Sequence, residues 1–232
     1  MTVKTSSKID EILAAGAHFG YTRTRRHPSA KAYVLGTKNR VDILNPEKIE
    51  TLNEKAREFV KTLAASGKTI IFVGSKPEAR DIVKKAAEEI SQPYVVERWI
   101  GGTLTNFPEI KKRIDKLATL LADREKGATA VYTKKERLLI DREIERLGKY
   151  FSGLASLKNL PAAVFVVDSK NEHIAVKEAR KINIPVISVS NSDCDLTGIS
   201  YPVVGNDAAT SSISFFVDEI VGAYKEGLKP SE

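Results

Sequence analysis

Three runs constrain the fold more than anything else in the chain. They are Lys68-Thr-Ile-Ile-Phe-Val-Gly74, Pro161-Ala-Ala-Val-Phe-Val-Val-Asp168 and Ile184-Pro-Val-Ile-Ser-Val189. Each is apolar at nearly every position rather than at every second one. A strand of that kind must be covered on both faces, which is the condition of strands inside a parallel sheet. Tyr201-Pro-Val-Val204 reads as a fourth such strand, and Tyr94-Val95-Val96 as a short one. Between them lie amphipathic stretches expected to be helical, from Asn45-Pro46 to about Ser66, Pro77 to Ile90, Ile174 to Ile182 and Ala208 to Tyr224. Strands alternating with helices predict an α/β protein with helices on both faces of one sheet.

The segment 107–152 interrupts that alternation. Ile110, Ile114, Leu117 and Leu121 share one helical face, and so do Ile140, Ile144, Leu147 and Phe151. Two apolar seams of equal length, joined by Gly127–Thr133, predict an antiparallel helical hairpin. Thr133 and Glu136 have the spacing of a capping box. The seams are narrow and the other positions mostly charged, so the hairpin is expected to project from a domain formed by 1–106 and 153–232.

A net charge of +7 directs attention to polyanions. The cations are not evenly spread. After a short amphipathic helix, expected over residues 8–17, come Arg23, Arg25, Arg26, Lys31, Lys38 and Arg40, interleaved with Tyr21 and Tyr33. Cations for phosphates and rings for unstacked bases suit an RNA-contacting loop, and a merely solvated loop is the alternative. Tyr33–Leu35 and Val41–Leu44 alternate as a small hairpin. A second cluster follows the strand at Tyr94: Arg98-Trp-Ile-Gly-Gly-Thr-Leu-Thr-Asn106, leading into Lys111, Lys112 and Arg113. Paired glycines turn the chain sharply and leave backbone N–H groups bare, while Arg98, Thr103, Thr105 and Asn106 add donors suited to phosphate and sugar. Asn106 and Glu109 are expected to cap the helix that starts there.

Other chemistries find less support. Ser66-Gly67-Lys68-Thr69 resembles the end of a phosphate-binding loop but precedes a strand instead of following one. Gly74-Ser75-Lys76 does follow a strand, at the edge where α/β proteins bind ligands. One glycine favours a plain strand-to-helix turn, with an anion facing Lys76 as the alternative, and Lys76 is counted among the expected RNA-binding cations. With Asp168 at the end of another strand, it leaves open an enzyme or sensor binding a phosphorylated small ligand. His18, His27 and His173 are scattered and Cys194 is alone, so no zinc set, disulfide or cofactor site is predicted. Asp193, Asp195 and Asp207 lie in polar loops that suit a magnesium ion or ordinary turns. No nucleophile–base pair appears, and catalysis is not expected. No apolar run approaches the roughly 20 residues of a membrane span, and no secretory signal is expected. The single cysteine favours a reducing, cytoplasmic compartment.

Several of these stretches also resemble a known family. Ala15-Gly-Ala-His-Phe-Gly20, the basic hairpin through Asn39-Arg40, Phe72-Val-Gly74, Arg98–Asn106, Leu160-Pro161 with Val166-Val-Asp168, and Gly205-Asn-Asp207 are similar in order and spacing to small-subunit ribosomal protein two, bacterial form. The similarity runs from about Ile12 to Gly222. It implies a flavodoxin-like or Rossmann-like α/β domain with an inserted coiled-coil hairpin. It implies a non-catalytic role, bound to small-subunit ribosomal RNA and helping to dock the OB-repeat, messenger-binding protein of the same subunit. Two departures stand out. Tyr21 occupies a position usually held by His, and Asn191-Ser-Asp193 followed by Asp195-Leu196 replaces the usual Asp-Thr-Asn and Asp-Pro, so no metal site is carried over. The end soon after Lys229 is expected to lack the acidic tail of some members.

Overall fold

The structure, a computed structural model, describes residues 2–127 and 132–228, with side chains from Lys8 onward. The chain runs through α1 (Thr2–Ala14), β1 (Phe19–Thr22), β2 (Val34–Lys38), β3 (Val41–Leu44), α2 (Pro46–Ala65), β4 (Ile70–Val73), α3 (Pro77–Glu89) and β5 (Tyr94–Val95). It continues with α4 (Phe107–Glu125), α5 (Lys134–Phe151), β6 (Ala163–Val167), α6 (His173–Lys181), β7 (Val186–Ser190), β8 (Tyr201–Val204) and α7 (Thr210–Leu228).

Strands β4 to β8 form one parallel sheet in the order β5-β4-β6-β7-β8. Every residue of β4, β6 and β7 is buried, as their unbroken apolar runs require. Helix α7 packs on α2 and α3, while α6 packs on β6 and β7. Tyr94, Phe72, Phe165, Ile187 and Tyr201 form one row across the sheet, with the Phe72 and Phe165 rings 5.2 Å apart. The predicted α/β architecture is the observed one.

The N-terminal part differs from expectation. Helix α1 begins at Thr2 and stops at Ala14, ahead of Gly16, which takes φ +67°. Beyond it lies a three-stranded antiparallel sheet, β1-β3-β2, where a loop and a two-stranded hairpin were expected. Strand β1 escaped the pattern because none of its four residues is fully buried, so it carries no apolar alternation.

Helices α4 and α5 lie antiparallel, tied by Lys116 to Glu143 at 3.0 Å and Arg124 to Asp141 at 3.8 Å. Ile110, Ile114, Leu117, Ile144, Leu147 and Phe151 are buried and belong to the same apolar cluster as the sheet. The expected seam fails at one end: Leu121 is 40% exposed, and Leu120 packs inward instead. The Thr133–Glu136 capping box is present, while residues 128–131 of the joining loop lie outside the described residues.

Candidate nucleic-acid interface

The β1-β3-β2 sheet concentrates charge of one sign. Between Phe19 and Leu44 there are six Lys and Arg residues and one carboxylate, Asp42. Asp42 is fully buried and takes a two-pronged bond from Arg26, Nε to Oδ2 at 2.6 Å and Nη2 to Oδ1. Hydrogen bonds from Arg26 hold this carboxyl below its ordinary range. Arg26 is therefore not the free phosphate ligand that the sequence suggested, because a buried charge has claimed its fork of donors. Arg23, Arg25, Lys31, Lys38 and Arg40 are exposed, and none forms an ion pair among the described residues. The Arg25 guanidinium lies 5.8 Å from the centre of the Tyr21 ring, an arrangement favourable to cation–π attraction.

This sheet is fastened to the carboxyl edge of the parallel sheet. The Tyr21 N–H donates to Ser192 Oγ at 2.9 Å, His27 N–H to the Ser192 carbonyl at 2.8 Å, and Asn206 N–H to the Ala17 carbonyl at 2.9 Å. The approach is close enough that a Cβ on Gly20 would meet both Asp42 and Ser192 at 3.0 Å.

The Arg98–Asn106 turn is organised from within. Gly102 sits at φ +92°, the left-handed conformation that needs glycine. The bare N–H groups do not face solvent. The Glu178 carboxylate, on α6, accepts from Gly102 N at 2.7 Å, Leu104 N at 3.0 Å and Thr105 N at 3.2 Å, and also from Trp99 Nε1 and Thr105 Oγ1. Burial pushes the Glu178 pKa up, yet these donors outweigh it and the net shift is downward. Three expectations change in consequence. Thr103 is buried with its hydroxyl donating to the Ile100 carbonyl, and the exposed Thr105 donates its hydroxyl proton to Glu178, so neither keeps a side-chain donor for phosphate. Asn106 occupies the N-cap position of α4 without making a side-chain cap, and the capping box with Glu109 is absent. The first-turn Glu109 N and Ile110 N donate to the Asn106 backbone carbonyl instead. Arg98, Lys111 and Arg113 remain exposed without ion pairs among the described residues, whereas Lys112 reaches Glu109 at 2.6 Å.

Lys76 is likewise answered internally. Its Nζ lies 2.9 Å from Asp168 Oδ2 and 3.1 Å from Asp207 Oδ2, at the carboxyl ends of three strands. Burial opposes its charge, but Asp207 and then Asp168 hold the ammonium well above its ordinary pKa. Burial and the neighbouring Asp168 push Asp207 up to about 6, while Lys76 draws Asp168 below its ordinary range against burial. The anion facing Lys76 is thus part of the protein, and the edge where a phosphorylated small ligand was entertained is filled. Asp168, Cys194 and Asp207 bring three ligating atoms within 4.8 Å of one another, yet the Lys76 ammonium is paired with both carboxylates. Burial raises the Cys194 thiol to about 12, so it stays protonated. The other loop carboxylates also have partners: Asp193 pairs with Lys170, and Asp195 caps Thr197 N. Asp168 also forms the turn at the end of its strand, since its Oδ1 accepts from Lys170 N and Asn171 N. Ser66-Gly67-Lys68 is a helix stop: Gly67 N donates to Ala64 O and Lys68 N to Leu63 O in the Schellman pattern.

Sequence reasoning missed Glu178 and Asp42. Both carried a signal. Glu178 shares the buried face of α6 with Ala175 and Ala179, and Asp42 shares the buried face of β3 with Leu44. An acidic residue on an apolar face needs a partner.

Comparison with known proteins agrees with this architecture. A family model described as "Ribosomal protein S2" matches residues 12–227. The chain is 42% identical over 217 residues to "Small ribosomal subunit protein uS2" of Sulfurimonas denitrificans, covering 94% of this chain and 84% of the relative. The protein of the same name from Bdellovibrio bacteriovorus is 40% identical over 222 residues, 96% of this chain and 71% of the relative. That from Acidothermus cellulolyticus is 40% identical over 219 residues, 94% and 80% respectively. Matched from one end of its parallel sheet to the other, the chain belongs to the ribosomal protein S2 family.

Proposed function

We propose that this member of a family of small-subunit ribosomal proteins, which are not enzymes, binds small-subunit ribosomal RNA with the outer surface of its β1-β3-β2 sheet. The observation that carries this is the run of exposed Arg23, Arg25, Lys31, Lys38 and Arg40, with the one carboxylate of the sheet buried and already paired. Arg98, Asn106, Lys111, Lys112 and Arg113 form a second contact area at the base of α4. Arg26, Lys76, Thr103 and Thr105 shape the framework rather than touch phosphate. Residues 107–152 act as a coiled-coil hairpin inserted between the two halves of the RNA-binding domain. The exposed Leu121, Leu138 and Leu139 on that hairpin offer a protein neighbour an apolar footing. They support a part in docking the OB-repeat messenger-binding protein. No helix among the described residues is long and apolar enough to cross a membrane, and the proposed location is the cytoplasmic ribosome.

The test is sedimentation of a tagged copy with small subunits at low and high salt, followed by filter binding to small-subunit ribosomal RNA. Affinity is expected to fall with salt at a slope of about −0.7 to −0.9 per phosphate contacted, summed over several contacts. A protein that stays at the top of the gradient in both salts sinks the proposal.

A further inference from the structure

We propose that the groove between the Arg23 turn and the Asn39–Arg40 hairpin tip is a ribonucleotide subsite. In it Arg23 and Arg40 take a phosphate, and the threonine hydroxyls of the groove recognise the ribose 2′-hydroxyl. The inference rests on the RNA-binding role and narrows it to one place and one discriminating group.

The groove is an open space of about 750 Å³ lined by Thr22, Arg23, Thr24, Thr37 and Arg40. Its two arginines come from adjoining points of backbone, because Arg23 N–H donates to the Arg40 carbonyl at 3.0 Å. Fastened this way, the two guanidiniums start from a shared base and converge on one anion at low conformational cost. The charge is not cancelled from below. Asp42 is buried and spent on Arg26, and the sheet holds no other carboxylate.

The hydroxyls can be counted. Thr22 Oγ1 and Thr24 Oγ1 lie 3.1 Å apart, so one of their two protons bridges them and the other is free to point into the groove. Thr37 Oγ1 donates to Asp42 Oδ1 at 3.0 Å and accepts from Arg26 Nη2 at 3.1 Å, which leaves one lone pair. The wall therefore presents both a donor and acceptors. A 2′-hydroxyl, itself donor and acceptor, is the group that matches such a wall and the group that DNA lacks.

The hairpin tip adds an independent sign. Lys38 pairs with Val41 across a two-residue turn in which Asn39 has φ +51° and Arg40 φ +67°. Such turns favour glycine at the second position, since any side chain there strains the backbone. The chain carries arginine instead. Strain retained at an exposed turn points to a use for the side chain.

The experiment measures binding of the full chain to a single-stranded RNA and a DNA of the same sequence at matched salt. The wild type is expected to favour the RNA. Thr22→Val with Thr24→Val should weaken RNA binding about three- to tenfold and leave DNA binding unchanged. Thr22 makes no side-chain cap, and the one bond the change removes is the exposed Thr22–Thr24 hydroxyl contact, so an unchanged melting curve of the double variant shows that the turn behind it holds. Thr24→Ser, which keeps the hydroxyl, should retain the preference. Arg40→Gly should weaken both nucleic acids, lower the salt slope by about one and raise the melting temperature. An RNA-to-DNA ratio unchanged by the double valine variant, or a salt slope unmoved by Arg40→Gly, overturns the subsite while RNA binding itself stands. A wild type that binds neither nucleic acid overturns both.

Discussion

The Arg98–Asn106 turn and the β1-β3-β2 sheet look alike in sequence. Each sets arginine beside threonine, asparagine and glycine. In the folded protein the turn directs most of its donors inward to Glu178, while the sheet buries its one carboxylate and directs its cations outward. The difference does not lie in the residues themselves. It lies in whether an opposite charge, placed elsewhere in the chain, arrives underneath. Donors answered from inside stabilise the protein, and donors left unanswered are available to a ligand.

That contrast is open to direct attack. The largest effect is expected at Lys76, which answers two buried carboxylates where Arg26 answers one. Lys76→Met leaves Asp168 and Asp207 buried without their counter-charge and should cost about 3–5 kcal/mol in urea unfolding. A loss below 1 kcal/mol would mean that the carboxylates are solvated and the edge is open to a ligand after all.

Glu178→Ala comes next. It strands the Trp99 indole N–H and three backbone N–H groups, and should cost about 3 kcal/mol. Acid offers a second handle on the same group. Because the folded pKa of Glu178 is lowered from 4.5, its stabilisation is complete above about pH 4.5 and is lost as pH falls through the folded value. Trp99 is the single tryptophan, so its fluorescence should report an acid step that Glu178→Gln lacks.

Smallest in stability, and sharpest for the comparison, is the pair Arg26→Ala and Arg98→Ala. Arg26→Ala should cost about 2 kcal/mol by exposing Asp42 to an unpaired burial. Arg98→Ala should leave the melt within about 0.5 kcal/mol and instead flatten the salt slope of RNA binding by about one. If the two variants exchange these signatures, inward and outward have been assigned the wrong way round.

Much of this was legible along the chain. The unbroken apolar runs at Ile70–Val73 and Ala163–Val167 predicted a sheet covered on both sides, and the seam through Ile110, Ile114 and Leu117 predicted the helix pair. Such patterns are local, because a strand or helix repeats within a few residues and burial writes that period into the sequence. Strand β1 left no such mark, being exposed at both ends and half-buried between them, and Leu121 kept the period yet lies exposed while Leu120 packs inward.

The site was less legible, for a related reason. Sequence alone determined which segments carry cations and which turns need glycine, since both follow from residue type. Only the tertiary structure decided which of those groups meet a carboxylate. Glu178 reaches the Gly102 N–H across 76 residues, and Lys76 reaches Asp207 across 131. Pairings at that separation are set by how helices and strands stack, and nothing in the neighbourhood of either residue encodes them. Once Glu178, Asp42 and Asp207 had taken their partners, the arginines at the tip of the small sheet were left facing water.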